Sequence, residues 1–245
     1  MSFGAIADDY NRLRPPPAEG AVDWLVPPDC EVAVDLAAGT GLLSRALAGR
    51  AGQVIAVEPD ERMAAVLRAC SPGVRVMDGR GEAIPLPDAS ADGVFASSAW
   101  HWLDPALAVP EISRVLRDGG RLGVLWTSID REAGWLQTYR RSGARRGAGT
   151  GNGGRGERLN RVVLPDDAPL RDVATQLFRF TRRMAAGSLL ELFGTYSNMI
   201  TADAQDRDAA LAYAARALAE RYPGASEIDV PMASWCWRAD RTSRP

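Results

Sequence analysis

Lysine is absent from this chain of 245 residues; all 29 basic residues are arginine. That excludes Schiff-base chemistry, a phosphate loop built on lysine, and any lysine nucleophile or base. Histidine occurs once, as His101, so the general bases on offer are His101, carboxylates, tyrosines or the substrate itself. The three cysteines, Cys30, Cys70 and Cys236, are scattered and odd in number. Neither a disulfide framework nor a zinc motif fits them, and no metal site is expected. No apolar run approaches the ~20 residues of a membrane span. The N-terminus MSFGAIADDYNRLRPPP has acids and prolines where a signal peptide would have a charged and then an apolar segment. A reducing cytoplasm is the expected setting. Nor is one sign of charge in excess: 31 acidic residues nearly cancel the arginines, for a net charge of −2. That argues against a dedicated nucleic-acid binder.

What is present is enough apolar material, 46% of residues, for one large α/β domain. Strand-like runs alternate with helical patterns from residue 32 to 126. VAVDLA (32–37) precedes GLLSRALAG, and QVIAVE (53–58) precedes PDERMAAVLRAC. GVRVM (73–77) and DGVFASS (92–98) follow, and PEISRVLRD leads into RLGVLW (121–126). The runs are short and rich in Val, Ile and Leu without strict alternation, as when helices cover both faces of a parallel sheet. Later come a strand-like run at 173–184, helical stretches at 132–141, 187–196 and 206–221, and a final strand, VPMASWCWRA, at 230–239. The spacing predicts a doubly wound, Rossmann-like, mostly parallel seven-stranded α/β sheet with a C-terminal cap insertion. Within a single domain, 1–28 would form an N-terminal lid, 29–130 the cofactor-binding core, 131–229 the cap and substrate region, and 230–241 the last strand. Ligands of such sheets bind outside the carboxyl ends of the strands.

VAVDLAAGTGLLS runs from a strand through a glycine turn into a helix. Gly39 and Gly41 let a cofactor press against the backbone, and the helix start favours a carboxylate or phosphate. Glu58 ends the second strand, where an acid can accept both hydrogen bonds of a ribose diol. Two cofactor classes share this geometry. A dinucleotide turn wants a third glycine and room for a pyrophosphate; here Ser44 stands at the third position, and Asp35 just before the turn would repel a diphosphate but suit an ammonium group. S-adenosylmethionine has that ammonium, a ribose diol and no phosphate.

DLAAGTG, VIAVEPDERM, GEAIPLPDASADGVFASSAWHWLD and EISRVLRDGGRLGVLW resemble, in this order, the motifs of class I S-adenosylmethionine-dependent methyltransferases. AWHWLD and YNRLRPPP resemble in particular the branch that includes trans-aconitate methyltransferase-like proteins. The resemblance implies that Asp35, Ala37, Gly39 and Gly41 line the methionine part of the cofactor and that Glu58 holds the ribose. Pro59 and Asp60 would flank it, Gly81 and Glu82 would border the adenine, and Ser97 would close the site from the fourth strand. Two positions depart from the pattern: Ala37 replaces the first glycine of the turn, at little expected cost, and Arg80 stands where the family often has an aspartate. The activity implied is methyl transfer from S-adenosylmethionine to a small molecule, at a carboxylate or hydroxyl oxygen, leaving S-adenosylhomocysteine. The arginine-only composition suggests a GC-rich genome and a role in natural-product tailoring.

His101, between Trp100 and Trp102, is the candidate base, with substrate contact and a structural role as the other readings. Tyr10 and Arg14 belong to the lid, where an arginine can grip a carboxylate through paired hydrogen bonds. Trp100, Trp102, Trp126, Arg131, Trp135 and Tyr196 are candidate acceptor-binding residues, although tryptophans at strand or helix spacing are more often core. The arginine-rich stretch 140–161 reads best as a solvated loop, since no aromatics interleave it for base stacking. The chain is expected to act as a monomer or homodimer without membrane or nucleic-acid partners. A non-catalytic cofactor binder, an RNA methyltransferase and a nicotinamide-dependent oxidoreductase remain open at this point.

Overall fold

The computed structural model of the chain describes residues 3–130, 132, 162–200 and 202–242. The expected helix at 132–141 and the Gly/Arg-rich stretch after it lie outside the described residues, as do Arg131 and Trp135.

Seven strands form one sheet. They are β1 (Val32–Leu36), β2 (Gln53–Val57), β3 (Arg75–Met77), β4 (Ala91–Ser97), β5 (Leu116–Ile129), β6 (Leu170–Ala185) and β7 (Glu227–Arg241). Their order is β3-β2-β1-β4-β5-β7-β6. β3, β2, β1, β4 and β5 run parallel, and β7 is antiparallel to both β5 and β6. All seven expected strands are present in the expected mostly parallel sheet. The chain leaves β1 toward β2 and β3 on one side and returns to β4 on the other, which makes the β1/β4 boundary the switch point.

Helices α1 (Ala7–Leu13) and α2 (Glu19–Leu25) precede the sheet; α3 (Leu42–Leu47), α4 (Glu61–Cys70) and α5 (Pro105–Val115) connect its parallel strands. Helices α6 (Ala186–Gly194), α7 (Ser197–Ile200) and α8 (Ala204–Arg221) are inserted between β6 and β7. α4 begins at an Asp60 cap whose side chain accepts from the Arg62 N–H, and α5 at an Asp104 cap followed by Pro105 at its first position. α1 stops at Leu13 because the residue before a proline is driven to extended backbone, and Arg14, ahead of Pro15, has φ −64° and ψ 136°.

One expectation changes. The residues LRD, read as the tail of a helix, belong with the following GG to β5, since Leu116 pairs with Ala91 of β4. In α4, Met63, Ala64 and Leu67 are buried while Cys70 is exposed. The buried residues of α8 are Ala214 and Leu218.

Three apolar clusters hold the layers together. One packs α5 against the sheet through Val34, Val94, Val109, Ile112 and Val124. A second packs α2 and α3 on the opposite face through Val22, Leu25, Leu43, Leu47 and Phe95. The third joins Leu13 of α1 to Leu189, Leu192 and Phe193 of α6, Leu218 of α8 and Met232 of β7. Each buried leucine contributes about 1.5–3 kcal/mol relative to exposure, so α1 and the α6–α8 insertion are coupled through one small core.

Candidate functional site

Asp35 is the fourth residue of β1 and is fully buried. Its Oδ2 accepts from the Ser44 hydroxyl at 2.6 Å, while its Oδ1 is buried without a hydrogen-bond partner. Burial raises the Asp35 carboxyl to about 7, with the charge of Glu58 adding to the effect. Ser44, the residue at the third glycine position, thus anchors the acid beneath the turn.

The turn itself passes through the left-handed region three times, at Ala37 (φ 52°), Gly39 (φ 57°) and Gly41 (φ 81°). A Cβ at Gly41 would lie 2.7 Å from Leu67, so only glycine serves there. Ala37 corrects the expectation of little cost, since an alanine in this region is strained by roughly 1–2 kcal/mol. A Cβ at Gly39 would meet nothing within 4 Å, so the turn presents open backbone on that side.

Glu58, just past β2, is buried and accepts from the Gly39 N–H at 2.7 Å and from the Asp60 N–H at 2.8 Å. Burial raises its pKa too. Pro59 beside it is exposed. Gly81 is buried, and a Cβ there would press on Leu103; Glu82 accepts from the Asp104 N–H at 2.9 Å. Ser97 ends β4 half-buried, and Ser98 after it is held at φ 55° while its N–H bonds to the Leu125 carbonyl. Two buried acids, an unpartnered carboxylate oxygen and open turn backbone fit a ligand with an ammonium group and a vicinal diol. They do not fit a diphosphate, which the acids would repel.

Beyond Ser98 the chain forms a 3-10 turn, Trp100–Trp102. Trp100 is 2% exposed and packed in the α5 core, so its ring belongs to the interior. Trp102 is 56% exposed, with its ring 4.9 Å from that of His101. Both ring nitrogens of His101 are buried without hydrogen-bond partners. Burial and then the nearby charge of Arg14 lower its pKa, which keeps the imidazole neutral. Arg14 is buried, with its guanidinium 5.3 Å from the ring centre of Tyr10 and 4.6 Å from that of Tyr196. The structure thus gathers Tyr10, Arg14, His101 and Tyr196. Trp126 is buried in β5, 5.3 Å from Trp235 on the paired strand, and packs with the core.

Two further arginines escaped sequence reasoning. Arg45 of α3 donates to the Thr40 carbonyl at 2.9 Å, to the Ser71 hydroxyl at 3.1 Å and to Asn11 of α1 at 2.8 Å. Arg182 of β6 donates to the Leu13 carbonyl at 2.6 Å. Arg45 could have been suspected from its place one turn past Gly41; Arg182, 169 residues from Leu13, left no signal. A cavity of about 340 Å³ lies between Val109, Ser113, Pro169 and Arg241. It opens at the amino-terminal edge of the parallel strands, away from Asp35 and Glu58, and the chemistry above does not reach it.

Residues 34–124, which hold the turn, Glu58 and the Trp-His-Trp segment, match the sequence profile of a methyltransferase domain. An uncharacterised methyltransferase of Mycobacterium tuberculosis is 37% identical over 241 residues, spanning 98% of this chain and 95% of its own. The malonyl-[acyl-carrier protein] O-methyltransferase of Methylococcus capsulatus is 35% identical over 134 residues, 50% of this chain and 48% of that protein. A solved structure from Anaeromyxobacter dehalogenans, provisionally named a type II methyltransferase, superposes with a TM-score of 0.70 at 25% identity, covering 94% of this chain and 97% of that one. With its switch-point turn, its strand-end acid and relatives along nearly its whole length, the chain belongs to the class I S-adenosylmethionine-dependent methyltransferases.

Proposed function

We propose that this methyltransferase acts on a small-molecule acceptor at oxygen, a carboxylate or a hydroxyl, in the tailoring of a natural product. We also place it in the trans-aconitate methyltransferase-like branch, on its AWHWLD and YNRLRPPP segments. The observation that carries the cofactor half is Asp35, a fully buried acid with one oxygen unpartnered beneath an open turn. When bound, S-adenosylmethionine supplies a methyl group on a sulfonium. Asp35 receives its ammonium, and Glu58, exchanging contacts with the Gly39 and Asp60 N–H groups, receives the ribose diol. Ala37, Gly39 and Gly41 line the methionine portion; Pro59, Gly81, Glu82 and Ser97 border the nucleoside.

The acceptor half rests on the cluster of Tyr10, Arg14, His101 and Tyr196. A neutral imidazole with both nitrogens open can take the proton of a hydroxyl acceptor. A carboxylate acceptor is already ionised and uses His101 only for orientation. Displacement at a methyl group needs an in-line approach and exclusion of water, and a lid packed on the insertion helices supplies both. Oxygen methylation by the relative from Methylococcus capsulatus, as its name gives it, agrees with this reading. Three free cysteines agree with a reducing cytoplasm.

Calorimetric titration with S-adenosylhomocysteine tests the cofactor site. Micromolar binding that Glu58→Ala weakens at least tenfold is expected, with no binding of NAD. NAD binding in its place would overturn the site assignment.

A further inference from the structure

Arginines on the described surface are mostly matched with acids. Arg12, on the same helix as the lid residues, pairs with Asp9 and Glu191. Arg179, three residues before Arg182 on β6, pairs with Asp130 and Glu132. Arg14 and Arg182 are among the described arginines that have no acid partner, and both are withdrawn from the surface. Arg14 is 9% exposed, and its Nη1 is buried with no hydrogen bond. Arg182 is half-buried; its Nη1 donates to the Leu13 carbonyl, and the charged group nearest in effect is Tyr196 rather than an acid. Among the described residues neither has a carboxylate partner. The two lie close along the chain's fold: Arg182 holds the carbonyl of the residue before Arg14, the Arg14 guanidinium lies over the Tyr196 ring, and Arg182 is near enough to feel Tyr196 electrostatically.

A buried and a half-buried cation on one side of a site, without a counterion among the described residues, are costly unless an anion arrives with the ligand. The flat guanidinium fork suits a planar carboxylate. The stacked tyrosines hold Arg14 in place but supply no negative charge, and His101 beside it is neutral. We infer that Arg14 and Arg182 form a receptor for one carboxylate of the methyl acceptor, so that the enzyme selects anionic substrates. The cofactor's ammonium and ribose are assigned to Asp35 and Glu58, so this inference rests on the methyltransferase reading of the site while using residues outside its cofactor-binding set.

The chain's only histidine makes a direct reporter, because the charge of Arg14 acts on His101. The His101 ring is titrated by NMR with saturating sodium acetate or sodium chloride at equal ionic strength, in protein first loaded with S-adenosylhomocysteine. Acetate is small enough to enter whatever the shape of the full acceptor. The expected result is a rise in the His101 pKa on the order of half a pH unit with acetate and none with chloride. The rise should be lost in Arg182→Gln and in Arg14→Gln, and partly restored in Arg182→Lys. No acetate-specific rise, or one that survives Arg182→Gln, overturns the receptor.

A second arm separates the two sources of a carboxylate. S-adenosylhomocysteine and 5′-methylthioadenosine, which lacks the amino-acid portion, are titrated into wild type and Arg182→Gln. Equal affinities in the two proteins support the acceptor assignment. A tenfold loss for S-adenosylhomocysteine alone would hand the receptor to the cofactor and overturn it. If S-adenosylhomocysteine fails to bind at all while the acetate response persists in unloaded protein, the carboxylate receptor stands and the cofactor reading falls.

Discussion

Asp35 shows how much one side chain can be asked to do. Its carboxyl is raised to about 7 by burial, so in the free protein it is largely protonated in mildly acidic solution. The sign follows from linkage: a group whose folded pKa lies above its unfolded value binds more protons in the native state. The free chain therefore loses stability as pH climbs from about 4, the unfolded value, to about 7. An ammonium placed against the carboxylate reverses the preference, and ligand binding then releases a proton below pH 7. Affinity for S-adenosylhomocysteine is expected to strengthen with pH up to about 7 and then level off. Calorimetry in buffers of different ionisation enthalpy should show the released proton at pH 6, and Asp35→Asn should abolish both the proton and the slope. Ala37 belongs to the same scale. Its replacement of a glycine is plain in the sequence, but its cost emerged only with the backbone angle, because φ is set by the tightness of the turn and not by the residue's name.

Among the elements, helix α1 is tied to the glycine turn by the Arg45 guanidinium. Arg45 reaches Asn11 of α1 and the Thr40 carbonyl of the turn at once, so one side chain bridges helix and turn. A double-mutant cycle on Asn11→Ala and Arg45→Gln, followed by urea unfolding, should give a coupling of about 1 kcal/mol. The same cycle read by S-adenosylhomocysteine affinity should show Asn11→Ala alone weakening binding several-fold, although Asn11 has no place in the cofactor set. Strands and helices of the core were legible because their apolar residues form the short continuous runs of a buried strand or recur at the spacing of a one-sided helix. The start of β5 was not. Leu116–Asp118 reads as a helix tail followed by two glycines, and only pairing with β4 draws the segment into the sheet.

For the whole molecule, the consequential contact is the shared core of α1, α6, α8 and β7. Leu189 is fully buried there, and Leu189→Ala should cost about 2–5 kcal/mol. Because Leu13 sits in the same cluster, hydrogen exchange should quicken in α1 as well as in α6, while β1 and β2 keep their protection. Equal loss of protection across the sheet would mean that the insertion is not a separate layer.

Much of this protein was decided along the chain. Short continuous apolar runs and period-3.6 patterns, caps such as Asp60 and Asp104, and a glycine turn followed at a set distance by Glu58 are local features. Local features need only neighbours in sequence to act, so the doubly wound sheet and the cofactor class could be read in advance. What only the folded molecule decided depends on contacts between distant segments. Trp100 turned inward to the core, Ser44 turned to Asp35, and Arg182 arrived beside Arg14 from the far edge of the sheet. Burial, and the pairing or non-pairing of charges, are properties of the assembled layers. They exist only after hydrophobic packing has chosen which side chains lose their water.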